Sequence, residues 1–254
     1  MPFGTFKTSE FRGAIPVSSP PYPSTQDEFT DMDVLSIRYY SEHDAVKDLV
    51  PAELELAEEP LITLSLIKYG FSLIGPYTEF ISSVEVKWQG KTYDYYIELI
   101  LDNEGAIFAG RERWGFPKVF GKVVWDSSST NPAAPPGFVT GHAERPVGSK
   151  LVQMSIKPLQ KVQALGPFNQ VSPHLGLRCI PASNPHDPPV LREFIPGSLG
   201  ITHAEVWTGE GSVGLFNVSE FDPIHRLKVV RYESAMVFRH ASATLNPANE
   251  RFAI

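Results

Sequence analysis

The chain has 254 residues, 42% apolar and 20% charged, with 23 prolines and one cysteine. At this length roughly 70–75% of the unfolded surface can be buried, so no staple is needed, and the lone Cys179 excludes an intramolecular disulfide and a thiolate metal cluster. Twenty-two Lys plus Arg against 29 Asp plus Glu give a net charge of −7; with no local basic patch, nucleic acid and anionic membrane surfaces are poor partners.

Residues 1–17 mix Lys7, Glu10 and Arg12 into their apolar residues, so no secretion signal is visible. No stretch approaches the 18 apolar residues of a membrane span. A cytoplasmic protein is expected. Prolines cluster at 16–23, 132–136 and 181–196, where neither a helix nor a central strand can continue. Residues 41–44 carry a helix-start pattern, Ser41-Glu42-His43-Asp44, followed by Ala45, Val46, Leu49 and Val50 and ended by Pro51, which predicts a short helix capped by Ser41.

The remaining texture is strand. Residues 34–40, 61–69, 78–88, 93–101, 106–112, 118–125, 151–161, 170–179, 203–207, 212–216 and 227–241 are rich in β-branched and aromatic side chains. In 78–88, Phe80, Val84, Val86 and Trp88 alternate with Glu79, Ser83, Glu85 and Lys87, the pattern of a sheet with one wet face. Gln89-Gly90-Lys91 then predicts a hairpin turn. About ten strands with few helices point to a mainly β (α+β) fold, a closed or nearly closed antiparallel barrel. The segments between proline clusters share one composition, which predicts one domain over 1–254 with an extended N-terminal arm at 1–29.

The seven histidines form no HxH, HExxH or i, i+4 pair, and the glycines form neither GxGxxG nor GxxxxGK[ST]. No GxSxG elbow occurs. Asn217-Val218-Ser219 matches a glycosylation acceptor that is idle without secretion. Lysine and carboxylate chemistry remain. The most unusual segment is Gly110-Arg111-Glu112-Arg113-Trp114-Gly115-Phe116-Pro117-Lys118, in which three charges close an apolar run and a lysine opens the next, Val119-Phe120. Apolar surroundings favour a neutral amine, the form that attacks a carbonyl to make a Schiff base. The alternative is that Lys118 begins a strand and snorkels into water.

The run from Leu101 through Gly110-Arg111-Glu112 to Trp114-Gly115-Phe116-Pro117-Lys118 resembles the acetoacetate decarboxylase family around its Schiff-base lysine. Leu49-Val50-Pro51, Pro76-Tyr77-Thr78-Glu79 and His203-Ala204-Glu205-Val206-Trp207-Thr208-Gly209 resemble other family landmarks in the same order. The resemblance covers about residues 30–245. It implies a barrel with flanking sheet and a few short helices, a homo-oligomer, a small oxo-acid substrate, and no cofactor, because the imine is itself the electron sink. Lys118 would be the nucleophile and Glu79 an orienting or proton-relaying carboxylate; the alternative for Glu79 is a solvated residue on its strand's wet face. The family's lysine is a standing example of activation by an apolar pocket or a neighbouring cation. Here the second family lysine is replaced by Val119, a pocket glutamate by Ser65 and a pocket arginine by Met32. The missing arginine argues against a small anionic substrate, although Arg111 and Arg113, on one face of an expected strand, are substitutes. Tyr77, Trp114, Phe116 and Phe120, with Phe71 and Phe80, suit a bulkier substrate than acetoacetate. Glu112 belongs to the same motif and joins Tyr77, Arg111, Trp114, Phe116, Val119, Ser65 and Met32 as a candidate for substrate contact. Two alternatives stand beside a decarboxylase: an aldolase–dehydratase using the same lysine on pyruvate or another oxo acid, and a barrel that only binds a hydrophobic ligand.

Overall fold

A computed structural model describes residues 1–127, 137–162, 173–216, 222–246 and 250–254. The proline cluster at 132–136, the acceptor triplet at 217–219 and the start of the strand expected at 170 lie outside these residues.

In chain order the elements are β1 (Asp27–Tyr40), α1 (His43–Val46), β2 (Glu55–Leu56), β3 (Leu61–Ser72), β4 (Tyr77–Trp88), β5 (Lys91–Leu101), α2 (Glu104–Ala109), a π-helical turn (Gly110–Trp114), β6 (Lys118–Phe120), β7 (Lys122–Ser127), β8 (Val139–Glu144), β9 (Lys150–Val162), β10 (His174–Ile180), β11 (Leu191–Leu215), β12 (Arg231–Asn246) and β13 (Phe252–Ala253). Short 3-10 turns lie at Thr8–Glu10, Lys47–Leu49 and Pro223–Arg226. The fold is mostly β with a few short helices. The sheet runs β10-β5-β4-β3-β1-β12-β11-β9-β8-β7, and β10 also pairs with β11, so the pairings return on themselves.

Three expectations need correction. The sheet is mixed, because β10 and β6 each pair with β5 in parallel. Residues 106–112 are helix, not strand: the Asn103 side chain accepts from Ala106 N at 2.9 Å and donates to the Ile74 carbonyl at 3.0 Å, capping α2 and tying it to the β3–β4 turn. Arg111 and Arg113 therefore do not share a strand face. The early helix starts one residue late, with Glu42 at its N-cap and no side-chain cap, so Ser41 does not cap it. Smaller shifts concern boundaries. β1 begins at Asp27, inside the expected arm, and β11 is one bent 25-residue strand where two short ones were expected. The β4–β5 hairpin turns at Gln89 and Gly90, with φ of 49° and 74°, the two-residue geometry that follows strand twist.

The main core is built from alternate residues of these strands, among them Leu35, Ile37, Tyr39, Ile62, Leu64, Leu66, Phe80 and Ile100. All eight are fully buried, and each such side chain contributes about 1.5–3 kcal/mol on leaving water. A second cluster, with Phe29, Met32, Ile67, Tyr69, Tyr77 and Leu101, fills the other face of β1, β3, β4 and β5. The cavity that holds Lys118 opens beside it.

Candidate active site

Lys118 opens β6, whose backbone is fixed by parallel pairing to Leu99 of β5. Three hydrogen bonds hold this mount: Leu99 N donates to the Pro117 carbonyl at 3.1 Å, Lys118 N to the Phe116 carbonyl at 2.8 Å, and Arg111 Nη1 to the Lys118 carbonyl at 3.1 Å. The lysine stem lies against Gly110. A Cβ placed there would stand 2.5 Å from Lys118 Cδ and 2.6 Å from Cε, so only glycine leaves room for the stem.

The amine does not snorkel. Lys118 is 7% exposed and Glu79 2% exposed, and their Nζ and Oε1 lie 2.8 Å apart. Glu79 is thus turned into the protein, not out on a wet face; of the four residues expected on that face, Glu79 and Ser83 are buried and Glu85 half-buried, which leaves only Lys87 exposed. Tyr69 donates to Glu79 Oε2 at 3.0 Å, and the Tyr77 ring stacks on Tyr69 with centroids 4.4 Å apart. Burial first, then the Glu79 charge, pushes both phenols well above the usual tyrosine range, so they remain neutral donors. The Lys118 amine also stands 5.9 Å from the Phe116 ring centre.

Two chambers meet at this pair. The outer one, about 420 Å³ including its opening to solvent, lies between the start of β1, the β3–β4 turn and α2; Leu73, Ile74, Ala106 and Ala109 form much of its wall, and Asp27 and Glu28 also line it. The inner one, about 380 Å³, is lined by Tyr69, Tyr77, Glu79, Tyr96, Leu99 and Leu199, among others. Phe29, Tyr77, Phe116, Lys118 and Leu245 belong to both walls.

Of the expected site residues, the fold brings Lys118, Glu79, Tyr77, Trp114 and Phe116 to the cavity. The others lie elsewhere. Met32 is fully buried in the second apolar cluster and Ser65 is hydrogen bonded to Ser36 at 3.2 Å; neither lines a chamber. Val119 points from β6 into the main core, as strand alternation requires of the residue after Lys118. Glu112 accepts from Tyr22 at 2.6 Å, pinning the N-terminal arm. Arg113 is paired with Asp27 at 3.2 Å. With Arg111 held by a backbone carbonyl, neither arginine offers a cation to the cavity. Among the extra aromatics, Phe71 and Phe120 are exposed and Phe80 is in the main core.

Sequence reasoning missed Tyr69, Tyr96, Phe29 and Leu245. Tyr69 had only a partial signal: a hairpin from β3 to β4 brings it near Tyr77, but the register that sets the two opposite is centred on Leu73, whereas a turn at 73–76 would set it opposite Phe80. Tyr96 has no such signal, because a bulge between Ser82/Ser83 and β5 shifts the alternation there. Among the described residues, no group of three His, Cys, Asp or Glu is placed to hold a metal ion, and no helix is long and apolar enough to cross a membrane. The arrangement can present an amine to a carbonyl carbon in an apolar cavity, with a carboxylate in reach to take or return a proton.

Comparisons with known proteins show the family and the fold. The family model for acetoacetate decarboxylase (ADC) matches residues 14–248. The chain is 36% identical over 240 residues to the decarboxylase DEC1 of Cochliobolus heterostrophus, covering 94% of each chain. It is 30% identical over 206 residues to an acetoacetate decarboxylase of Clostridium botulinum, covering 80% of each. The fold matches a solved acetoacetate decarboxylase with a TM-score of 0.80 at 24% identity, covering 94% of each chain. It also matches the enduracididine biosynthesis enzyme MppR with a TM-score of 0.75 at 17% identity, covering 95% of this chain and 97% of that one. With a family model spanning almost the whole sequence and decarboxylases among its relatives, the chain belongs to the acetoacetate decarboxylase family.

Proposed function

We propose that the protein is a cofactor-independent lyase that decarboxylates a β-keto acid bulkier than acetoacetate through a Schiff base on Lys118. The observation that carries this reading is the buried Lys118–Glu79 pair, 2.8 Å apart at the junction of two chambers. Glu79 takes a proton from the ammonium, and the free amine adds to the keto carbon. Loss of water leaves a protonated imine. The bond from the adjacent carbon to the carboxylate then breaks, its electron pair moves toward the imine nitrogen, and carbon dioxide leaves. The enamine is protonated at carbon, and water hydrolyses the imine to release ketone and amine. The outer chamber supports a longer acyl chain, because Leu73, Ile74, Ala106 and Ala109 offer apolar area beyond the reacting atoms. On the same reading the ring of pairings through β10 closes as a barrel.

Borohydride reduction with 3-oxo acids of increasing length, followed by peptide mass mapping, tests the mechanism. The expected adduct is on Lys118, with carbon dioxide release faster for 3-oxohexanoate than for acetoacetate. An adduct on another lysine, or turnover surviving in Lys118→Ala, would remove the mechanism.

A second reading keeps the lysine and changes the reaction. MppR, a neighbour in fold, has been solved with the condensation product of pyruvate and imidazole 4-carboxaldehyde, which favours an aldolase–dehydratase as the alternative. It predicts an adduct with pyruvate and consumption of an added aldehyde without carbon dioxide release. No adduct with any oxo acid would leave a hydrophobic-ligand binder.

A further inference from the structure

We propose that Tyr96 is the residue that holds the carboxylate of the substrate, as a neutral hydrogen-bond donor in the inner chamber. This rests on the β-keto acid reading above. A carboxylate entering an apolar cavity needs a donor, and among the described residues lining the two chambers the only cation is Lys118, which is consumed in the imine.

The other donors nearby are either committed or placed differently. Tyr69 gives its proton to Glu79, and Tyr77, its ring stacked on Tyr69, sits on the wall shared by both chambers, whereas Tyr96 lines the inner one alone. The Trp114 indole N–H is buried without a partner, but Trp114 lines the outer chamber and not the inner one that holds Glu79. Arg113 is held by Asp27, and Arg178 by Glu193 and the backbone carbonyl of Glu112. Tyr96 lines the inner chamber with Glu79 and Lys118, and its hydroxyl has no hydrogen-bond partner among the described residues. Its ring is held on two sides, stacked on His174 with centroids 5.2 Å apart and edge-on to Phe116 at 4.9 Å.

Burial, and then the charges of Asp94 and Glu79, push the Tyr96 phenol far above its ordinary range, so it donates at any working pH. A neutral donor suits the reaction. A fixed cation would stabilise the carboxylate most in the ground state, where its charge is complete, and least as the charge moves onto the imine. A phenol orients the group and opposes that movement less.

The test is Tyr96→Phe, which keeps the ring and its stacking, assayed with 3-oxohexanoate and, separately, by borohydride trapping of 2-pentanone, a ketone with no carboxylate. The expected result is a loss of about 10- to 100-fold in kcat/KM for the acid, the size of a hydrogen bond to a charged group, with trapping of 2-pentanone on Lys118 unchanged. Tyr96→Gln, which restores a neutral donor, is expected to recover part of the loss. Unchanged kcat/KM in Tyr96→Phe, an equal loss of 2-pentanone trapping, or equal defects in the Phe and Gln variants would each overturn the assignment while leaving the Schiff-base reading standing. A parent protein that traps 2-pentanone yet releases no carbon dioxide from any straight-chain 3-oxo acid would overturn that reading and this one with it.

Discussion

Two buried ionic groups flank β5, and they solve the problem of burying charge differently. On one face Lys118 meets Glu79, one cation against one carboxylate, beside open cavity. From the other face Glu98 meets Arg145 at 3.2 Å, and Arg145 meets Asp222 at 3.4 Å, two carboxylates around one guanidinium. That second group sits against the main core, where Asp222 also caps the turn at Pro223–Arg226. Its extra acid is handled by a proton. Burial, then the neighbouring Asp222 charge, pushes Glu98 up to about 8, so it is held neutral through most of the physiological range. The lesson is that a buried charge in solid packing is neutralised and kept still, whereas the balanced pair has room for a third party. Breaking either group leaves an uncompensated buried charge, but only one of the two losses should reach chemistry.

The comparison can be broken most decisively at the amine. Lys118→Ala is expected to lower carbon dioxide release by at least about a thousandfold, since it removes the covalent route, while thermal unfolding still shows a folded protein. Gly110→Ala comes next. Its methyl must displace the lysine stem from 2.5 Å, and misplacement on the ångström scale costs about 100-fold in rate, read as slower borohydride trapping with Lys118 intact. Glu79→Gln is expected to lower turnover about 100-fold by removing a proton acceptor while leaving the adduct able to form, and intact mass after reduction separates the two effects.

The smallest effect belongs to the second group and touches stability alone. The folded state holds the Glu98 proton up to about pH 8, whereas the unfolded chain releases it near 4.5. The folded state therefore binds more protons across that interval, and stability falls as pH rises through it. His174, pushed down by burial to about 3, and Asp94, pushed up by burial to about 6, titrate below the upper part of this window. From about pH 6.5 to 8 the loss is roughly 1–2 kcal/mol, since the slope of 1.36 kcal/mol per unit falls to half as the proton leaves near pH 8. Glu98→Gln should flatten that slope in denaturant titrations without altering the trapping of Lys118; a slope equal to the parent's would mean that Glu98 does not carry the proton.

What could be read from the chain alone follows the range of the forces involved. Strands β3, β4, β5 and β9 were legible within a few residues because alternation is local. The helix at 104–109 was not, because Ile107 and Phe108 read as β formers, and a cap at Asn103 together with its bond to Ile74 outweighs that preference. Lys118 and Glu79 were legible from the motif and its resemblance, whereas the burial of Glu79 depends on β5 and β6 pairing beside it. The places of Met32 and Ser65 away from the cavity follow from strand register, which no single segment determines.

The two chambers also differ in what builds them. The inner wall comes largely from β3, β4 and β5, each paired on both sides, with Lys118 on β6 paired to β5 and Phe29, Leu199 and Leu245 closing it. The outer wall comes from a turn and one short helix, at Leu73, Ile74, Ala106 and Ala109. Substitutions there change the shape offered to a substrate's tail without moving the amine. On the proposed reading, a lineage could therefore drift from one chain length to another through a few loop positions while inheriting the reacting centre unaltered.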